Sequence, residues 1–563
     1  MFKTKLLFDV ILQICFAFLF FYLIFDSFSN LNPNNTSWFG IDNSTSYMAQ
    51  LFYLDDNWRF PLLRNPNYGG PLSGSITFTG PAPIIALFMK LFSLPPTLQL
   101  FGIWILINIF LQLFFGYQLL RFLGLDRKYA RIFCIFFLSP FLILKIQQHF
   151  WLVSHYLLLW SLCIFLKSIK NKITRDLEIS LVLILSYLTN IYLLAIVSAV
   201  IFTLYLVQFL GHSGNVLFWF RKFVHAFITL FLSFLIFDGV NRQENSYQSI
   251  KMYLSSTYGY HGFNILTFFN PETGFIAEGF DKYDRTIVDN FSFFNFGLGM
   301  IPGAYEGFMY LGMGVILSIF VNVLFRSSRN SFRVIELDSK QKVVLKFCLL
   351  TVMFFAVTYR IGIGSLEIIL PFPELLKWPL GLFRSSGRFV WPIAYAIIAI
   401  SLVTLVKTCE SFHTKVRISI LAVIFVFQLL DLTSPLNRQI VETSRHAQSR
   451  EFFDKEYVKT SKTFDGYTSI RAYPLGNVLE NHYFELNYVA WELGVSTDLY
   501  FTSRLNMRKM YDRQEQTFNQ ICSGNLENGT LYAVSNSSIT KFEGCRSFEK
   551  IVARGKFHTF IGE

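Results

Sequence analysis

Apolar residues in this chain gather into runs that are hydrophobic on every side, separated by short polar stretches, instead of the one-faced stripes of soluble helices. Runs of about 17 to 25 such residues match the thickness of a bilayer, where only a backbone that closes its own hydrogen bonds is tolerated. The pattern predicts about eleven membrane helices. They are Leu6 to Phe25, Leu98 to Leu120, Ile132 to Ile146, Phe150 to Leu166, two short spans within 177–210 hinged near Thr189 and Asn190, Val216 to Phe237, Tyr305 to Phe325, Val343 to Val357, Phe389 to Val406 and Ile418 to Leu432. Residues 82–94 are apolar but too short to cross and read as a helix on the outer interface. Beyond Thr433 the long apolar runs stop, and pieces such as TSIRAYPL and GTLYAVSN alternate as strands do. The expected fold is a polytopic α-helical membrane protein. Its membrane domain covers 1–433 with external loops 27–97, 238–304 and 358–388, and a C-terminal α/β domain covers 434–563.

Composition removes the soluble alternative, since 53% of the 563 residues are hydrophobic and only 15% are charged. The net charge of +12 would suggest nucleic acid, but the lysines and arginines sit mainly in short loops between apolar runs. That is the signature of membrane orientation, so no nucleic-acid partner is expected. Lys3 and Lys5 place the N-terminus in the cytoplasm, and the loops KSIKNKITR and RSSRNSFR fall on the same side. The first run is too long for a cleaved signal peptide and lacks a small-residue cleavage site, so it reads as an uncleaved anchor. An odd number of spans carries the C-terminal part across the membrane. Cys522 and Cys545 in that part are disulfide candidates if it faces an oxidising compartment, and no CxxC metal spacing occurs.

Candidate chemistry collects in the external segments. The longest interruption, Trp38 to Lys90, carries Asp42, the pair Asp55 and Asp56, and the cations Arg59 and Arg64, followed by a Gly, Pro and Ser-rich stretch. A loop of roughly 50 residues exceeds what a connector needs. A carboxylate just above the membrane can act as general base toward a hydroxyl, and Asp42 is the first candidate, against the alternative of a solvated loop acid. Asp55 and Asp56 are further candidate acids. His149 at the outer membrane edge is a candidate substrate contact, and its six-residue spacing from His155 does not favour a shared helix face. Tyr258 and His261 precede PGAYEGFMYLGMG, in which Tyr305 and Glu306 stand at the start of an expected span. There Glu306 is either a functional carboxylate or a helix N-terminal acid favoured by the dipole. In FRSSGRFVWP, Arg384 and Arg388 suit a phosphate or pyrophosphate, against plain interfacial anchoring. Metal dependence is not readable, because the loop acids show no ligand spacing.

Five fragments occur in order: WRFPLLRNPNYGGPLSGSITFTGPAPIIALFMK, QHFWLVSHYLLL, YEGFMYLGMG, LFRSSGRFVWP, and YVAWELGVSTDLYFTSRLN with GTLYAV. Together they resemble a family of bacterial multispan proteins in the GT-C glycosyltransferase superfamily, whose wider relatives include YfhO-type proteins and O-antigen-modifying Gtr transferases. The resemblance runs from about residue 38 to about residue 535. It implies an inverting transfer of a hexose, glucose by preference, from undecaprenyl phosphate to a periplasmic or cell-surface glycan such as the lipopolysaccharide O-antigen. In that scheme Asp42 is the base, Arg384 and Arg388 hold the donor phosphate, and Arg59, Arg64, His149, Tyr258, His261 and Tyr305 are possible substrate contacts. The implied setting is the bacterial inner membrane with a periplasmic C-terminal domain. The implied partners are the lipid-linked donor, a glycan or glycolipid acceptor, and membrane proteins that make and flip the donor. The sequence departs from the family pattern in lacking an acid near the turn at Thr79, Gly80 and Pro81. Two other classes stay open: a transporter or flippase for a lipid-linked glycan, and a non-catalytic glycan assembly protein.

Overall fold

The computed structural model describes residues 2–79, 82–171, 176–211, 216–239, 258–272, 297–301, 303–325, 337–449, 466–475, 483–500 and 507–545, with short strand pieces elsewhere. Among the described residues, seven helices are long and apolar enough to cross a membrane: Leu7–Phe25, Phe101–Phe122, Phe150–Ile169, Ile191–Leu210, Val216–Phe237, Ser386–Cys409 and Thr414–Val441. The pair Arg127–Phe137 and Pro140–Ile146, bent by 51°, makes an eighth if it is one span. The protein is therefore a helical, polytopic membrane protein.

Three of the expected spans take other forms, each for a local reason, while a fourth run divides where expected. The 132–146 run breaks where Ser139 precedes Pro140, since the residue before a proline is driven out of helical geometry. The 177–210 run divides at the expected hinge, Asn190, into Asp176–Thr189 and Ile191–Gly211. There the Asn190 side chain accepts the Tyr192 N–H at 2.8 Å and starts the second helix. The 305–325 run is helical only over the 12 residues Met313–Leu324, because Gly312 (φ 93°) turns the chain just before it. The helix Ser339–Val357 opens on a capping box of Asp338 and Gln341, and Lys340, Lys342 and Lys346 occupy its first half, leaving a short apolar part.

The chain forms two compact units. The first comprises Met1–Phe28, Ile103–Phe231 and Lys251–Val441. Its first helix is fixed by buried Asp9, which accepts from Tyr117 Oη and Arg131 Nε, both at 2.6 Å, and pairs with Arg127 at 3.3 Å. Its centre is the helix Trp391–Cys409, buried along most of its length through Trp391, Ala394, Tyr395, Ile398 and Leu402. By contrast, Val216–Phe237 exposes Phe218, Phe220, Phe227 and Phe231, the surface a lipid-facing helix shows.

The second unit comprises Ser29–Gly102, Leu232–Ile250 and Glu442–Glu563. It contains a mixed five-stranded sheet in the order Val552–Arg554, Phe557–Ile561, Thr530–Val534, Ser469–Tyr473, Ser496–Thr497. Ser469–Tyr473 is parallel to both of its neighbours, with Ile470 opposite Leu531 and Thr497. Tyr473, Ile521, Tyr532, Val534 and Phe542 form a core under the helix Met507–Ser523, and a disulfide joins Cys522 to Cys545 beside it. The helix Tyr483–Glu492 packs on Ile41–Asp55. Gly69 (φ 89°) lies against the Tyr500 ring, where a Cβ would come within 2.5 Å. The first polar stretch and the C-terminal chain thus fold together.

Candidate functional site

In the first unit, three turns bring charge into an apolar interior. The helix Pro140–Gln148 ends at His149, whose extended backbone (φ −147°, ψ 72°) reverses the chain through Phe150–Leu152 into the next helix. Gly303 (φ 81°) opens the turn Ala304–Gly307, which carries Glu306. Ser386–Val390, leading into the Trp391 helix, carries Arg388. Glycines let these turns approach closely. A Cβ on Gly387 would fall 2.8 Å from Gly307 Cα and 3.1 Å from the Gly262 carbonyl, and one on Gly307 would fall 2.7 Å from the Gly262 oxygen. The Gly387 N–H also donates to the His261 carbonyl at 3.2 Å.

The product is a buried ion cluster. Glu306 Oε2 accepts from Lys145 Nζ at 3.1 Å and from Arg388 Nε at 3.1 Å and Nη2 at 2.5 Å, while Oε1 lies 3.4 Å from His149 Nε2. The side chains of Lys145, Glu306 and Arg388 are 0%, 2% and 6% exposed. The Arg388 guanidinium also stacks over the Tyr192 ring at 4.5 Å. Burial alone would push the Glu306 carboxyl up, but Arg388, Lys145 and His149 outweigh it and hold it well below the usual carboxylate range. Glu306 is thus ionised. His261 meets the Gly303 carbonyl through Nδ1 at 3.0 Å, and burial pulls its pKa down to about 4, so it is a neutral N–H donor there. Burial raises the Tyr305 hydroxyl, and its ring lies 5.4 Å from that of His261. Deeper in, His155 Nδ1 pairs with Tyr395 Oη at 2.8 Å, and the Trp391 ring lies 4.2 Å from the imidazole.

The structure therefore joins Glu306, Arg388 and His149, with His261 and Tyr305 beside them. Glu306 is not a helix N-terminal acid, since its span begins seven residues later at Met313 and its carboxylate faces two cations. Arg384 and Arg388 do not project as a pair. Ser385 (φ −90°, ψ 64°) separates their turns, leaving Arg384 exposed and Arg388 on Glu306. The charge of Arg384 reaches His261 and Tyr305. Tyr258 belongs to an aromatic cluster with Phe355, Tyr359 and Phe372. Sequence reasoning missed Lys145 and undervalued His155. The available signal was a lysine inside LILKIQQH, because ionisable groups within apolar runs mark functional positions.

The second unit holds the loop acids. Asp42 is the second residue of the helix Ile41–Asp55, and its side chain lies outside the described residues. Asp55 is exposed. Asp56 accepts from Arg59 Nε at 2.6 Å and Nη2 at 2.9 Å; burial opposes its ionisation, but these bonds and the Arg59 charge win and lower its pKa. Arg64 is exposed on the short strand Arg64–Asn65. Gly80 and Pro81 lie outside the described residues. Near that turn, both carboxylate oxygens of buried Asp238 accept from the Thr77 hydroxyl, at 3.0 and 3.1 Å. Among the described residues no group of three or more His, Cys, Asp or Glu side chains could hold a metal ion.

Chemically, the first-unit cluster sets two fixed positive charges, Lys145 and Arg388, against one carboxylate in a low-dielectric interior. Such an arrangement holds an anion with charge-assisted hydrogen bonds. A family model described as a domain of unknown function, DUF6311, matches residues 14–433. No curated protein and no solved structure matches the chain.

Proposed function

From the premise that the chain belongs to the DUF6311 family, we propose that it is a membrane glycosyltransferase. It moves a hexose, glucose by preference, from undecaprenyl phosphate to a periplasmic or cell-surface glycan such as the lipopolysaccharide O-antigen. The acceptor hydroxyl attacks the anomeric carbon as the bond from that carbon to the phosphate oxygen breaks, with inversion. The hydroxyl proton goes to Asp42, and the bonding electrons leave with the lipid phosphate. Negative charge grows on that phosphate, and within the first unit Lys145 and Arg388 are the cations suited to such an anion. The buried Lys145–Glu306–Arg388 cluster supports this reading, because cations kept in a dry interior suit a developing phosphate anion. The role of Asp42 is carried by its position in the first polar stretch and by the resemblance. The same proposal sets the protein in the bacterial inner membrane, N-terminus in the cytoplasm, with eleven GT-C-like spans and a periplasmic α/β domain at the C-terminus.

The test is to incubate membranes containing the full chain with polyprenyl-phosphate hexose and an acceptor glycan, and to measure free polyprenyl phosphate. Wild type should release it, while Asp42→Asn and Arg388→Ala should not. Release equal to that of empty membranes refutes transfer.

One observation favours a second reading, a flippase for a lipid-linked glycan. A helix pair bent by 51° and a buried lysine and histidine, Lys145 and His155, are features transporters use near the membrane middle. Movement of labelled donor between leaflets without release of polyprenyl phosphate would select it.

A further inference from the structure

We propose that the open polar groups on the segments flanking Lys145 and Arg388 form a subsite for the hydroxyl-bearing part of a glycosyl phosphate, contacted by His155, Trp391 and Ser386. The proposal rests on reading that cluster as a phosphate site, and it adds the residues that recognise what the phosphate carries.

Buried side-chain polar atoms with no hydrogen-bond partner occur at many places among the described residues, and four of them belong to the segments that carry the ion cluster: Ser154 Oγ, His155 Nε2, Ser386 Oγ and Trp391 Nε1. Open donors and acceptors inside an apolar bundle are costly, and native interiors rarely keep several together without a ligand or water to meet them. These four are not scattered. Ser154 and His155 follow the turn that ends the Lys145 helix, while Ser386 and Trp391 bracket Arg388. The charges of Lys145 and Arg388 both reach His155. Because Nδ1 of His155 is taken by Tyr395, its open edge is Nε2.

The mixture of groups points to hydroxyls. Indole Nε1 only donates, a serine hydroxyl donates and accepts, and imidazole does one or the other by tautomer. A sugar hydroxyl both donates and accepts, so a ring of hydroxyls matches this mixed set. The His155 and Trp391 rings are in contact, with centroids 4.2 Å apart, which sets their open nitrogens on adjacent side chains.

The experiment compares binding of glucose 1-phosphate and inorganic phosphate to the full chain in detergent, for wild type and for Trp391→Phe, His155→Phe and Ser386→Ala. Wild type should hold glucose 1-phosphate about tenfold more tightly than inorganic phosphate, the gain of one or two hydrogen bonds. Each variant should erode that preference while leaving inorganic phosphate affinity within about twofold. Ser386→Ala removes a single oxygen and tests the idea even if the aromatic variants fold poorly. Equal binding of both ligands by wild type overturns the sugar subsite and leaves the phosphate site standing, with water as the partner of the open groups. Variants that lose both ligands equally show a structural role and overturn it too. Failure of wild type to bind either ligand removes the phosphate reading and this inference together.

Discussion

Glu306 carries its charge in an apolar interior because Lys145 and Arg388 are held against it, so removing the carboxylate does more harm than removing the whole cluster. In Glu306→Gln two buried cations lose their counter-ion, which should cost about 3–5 kcal/mol. The detergent-solubilised variant should melt well below wild type. The triple variant Lys145→Met, Glu306→Gln, Arg388→Met should regain most of that stability and bind no phosphate. A Glu306→Gln protein that melts like wild type would mean that water reaches the cations. His261 gives a separate, pH-dependent signature. Its folded pKa of about 4 lies below the ordinary unfolded value of about 6.5. Above about 6.5 both states are neutral and His261 contributes nothing to the pH dependence. As pH falls below that, the unfolded chain takes up a proton the folded one refuses, and stability drains away down to about pH 4, by about 3 kcal/mol in all. Glu306, held low, adds its own loss only below the ordinary glutamate range near 4.5. Melting curves taken from pH 7.5 to 4.5 should therefore slope downward below about 6.5 for wild type and flatten for His261→Gln.

At the scale of elements, the site depends on turns meeting backbone to backbone. A methyl group on Gly387 would press on the Gly307 backbone, which cannot swing aside as a side-chain tip would. Gly387→Ala should cost about 1–3 kcal/mol in overpacking and weaken phosphate binding at least about tenfold by parting Arg388 from Glu306. Titration of the purified variant with inorganic phosphate checks this, and unchanged affinity would show that the turns have slack. The helices themselves were legible, because hydropathy is local and length decides whether a run can cross. Their breaks were less so: the hinge at Asn190 could be read from the excess length of its run, but single residues, Pro140 and Gly312, decide where the other runs stop being helix. The pairing of Lys145 with Glu306 spans 161 positions and leaves no mark in one sequence. Spacing suggested that Arg384 and Arg388 act together, but the intervening Ser385 geometry decided otherwise. Asp238, 161 residues beyond Thr77, was hidden for the same reason as Lys145.

For the whole molecule, orientation couples span counting to redox chemistry. The bond between Cys522 and Cys545 needs an oxidising compartment, while Lys3 and Lys5 favour a cytoplasmic N-terminus. An odd number of crossings satisfies both, and seven long helices would do so. Seven alone, however, misplace charge: with only Leu7–Phe25, Phe101–Phe122 and Phe150–Ile169 crossing, KSIKNKITR emerges outside. If the bent pair Arg127–Ile146 also crosses, that loop returns to the cytoplasm. Arg221 and Lys222 then stay inside only if both Asp176–Thr189 and Ile191–Gly211 cross. RSSRNSFR is inside only if Met313–Leu324 crosses, and Lys407 and Lys415 only if Ser339–Val357 does. Each step restores one basic loop, and the total is the proposed eleven. At about 1.5 Å per residue, helices of 12 and 14 residues fall short of a bilayer core of about 30 Å, so the membrane must thin or their flanks must complete the crossing. A phosphatase that matures only in an oxidising compartment should then be active when fused after Glu563 and inactive when inserted in KSIKNKITR. Activity at both positions would leave the bent pair dipping into the membrane without crossing it, and would remove the eleven-span arrangement.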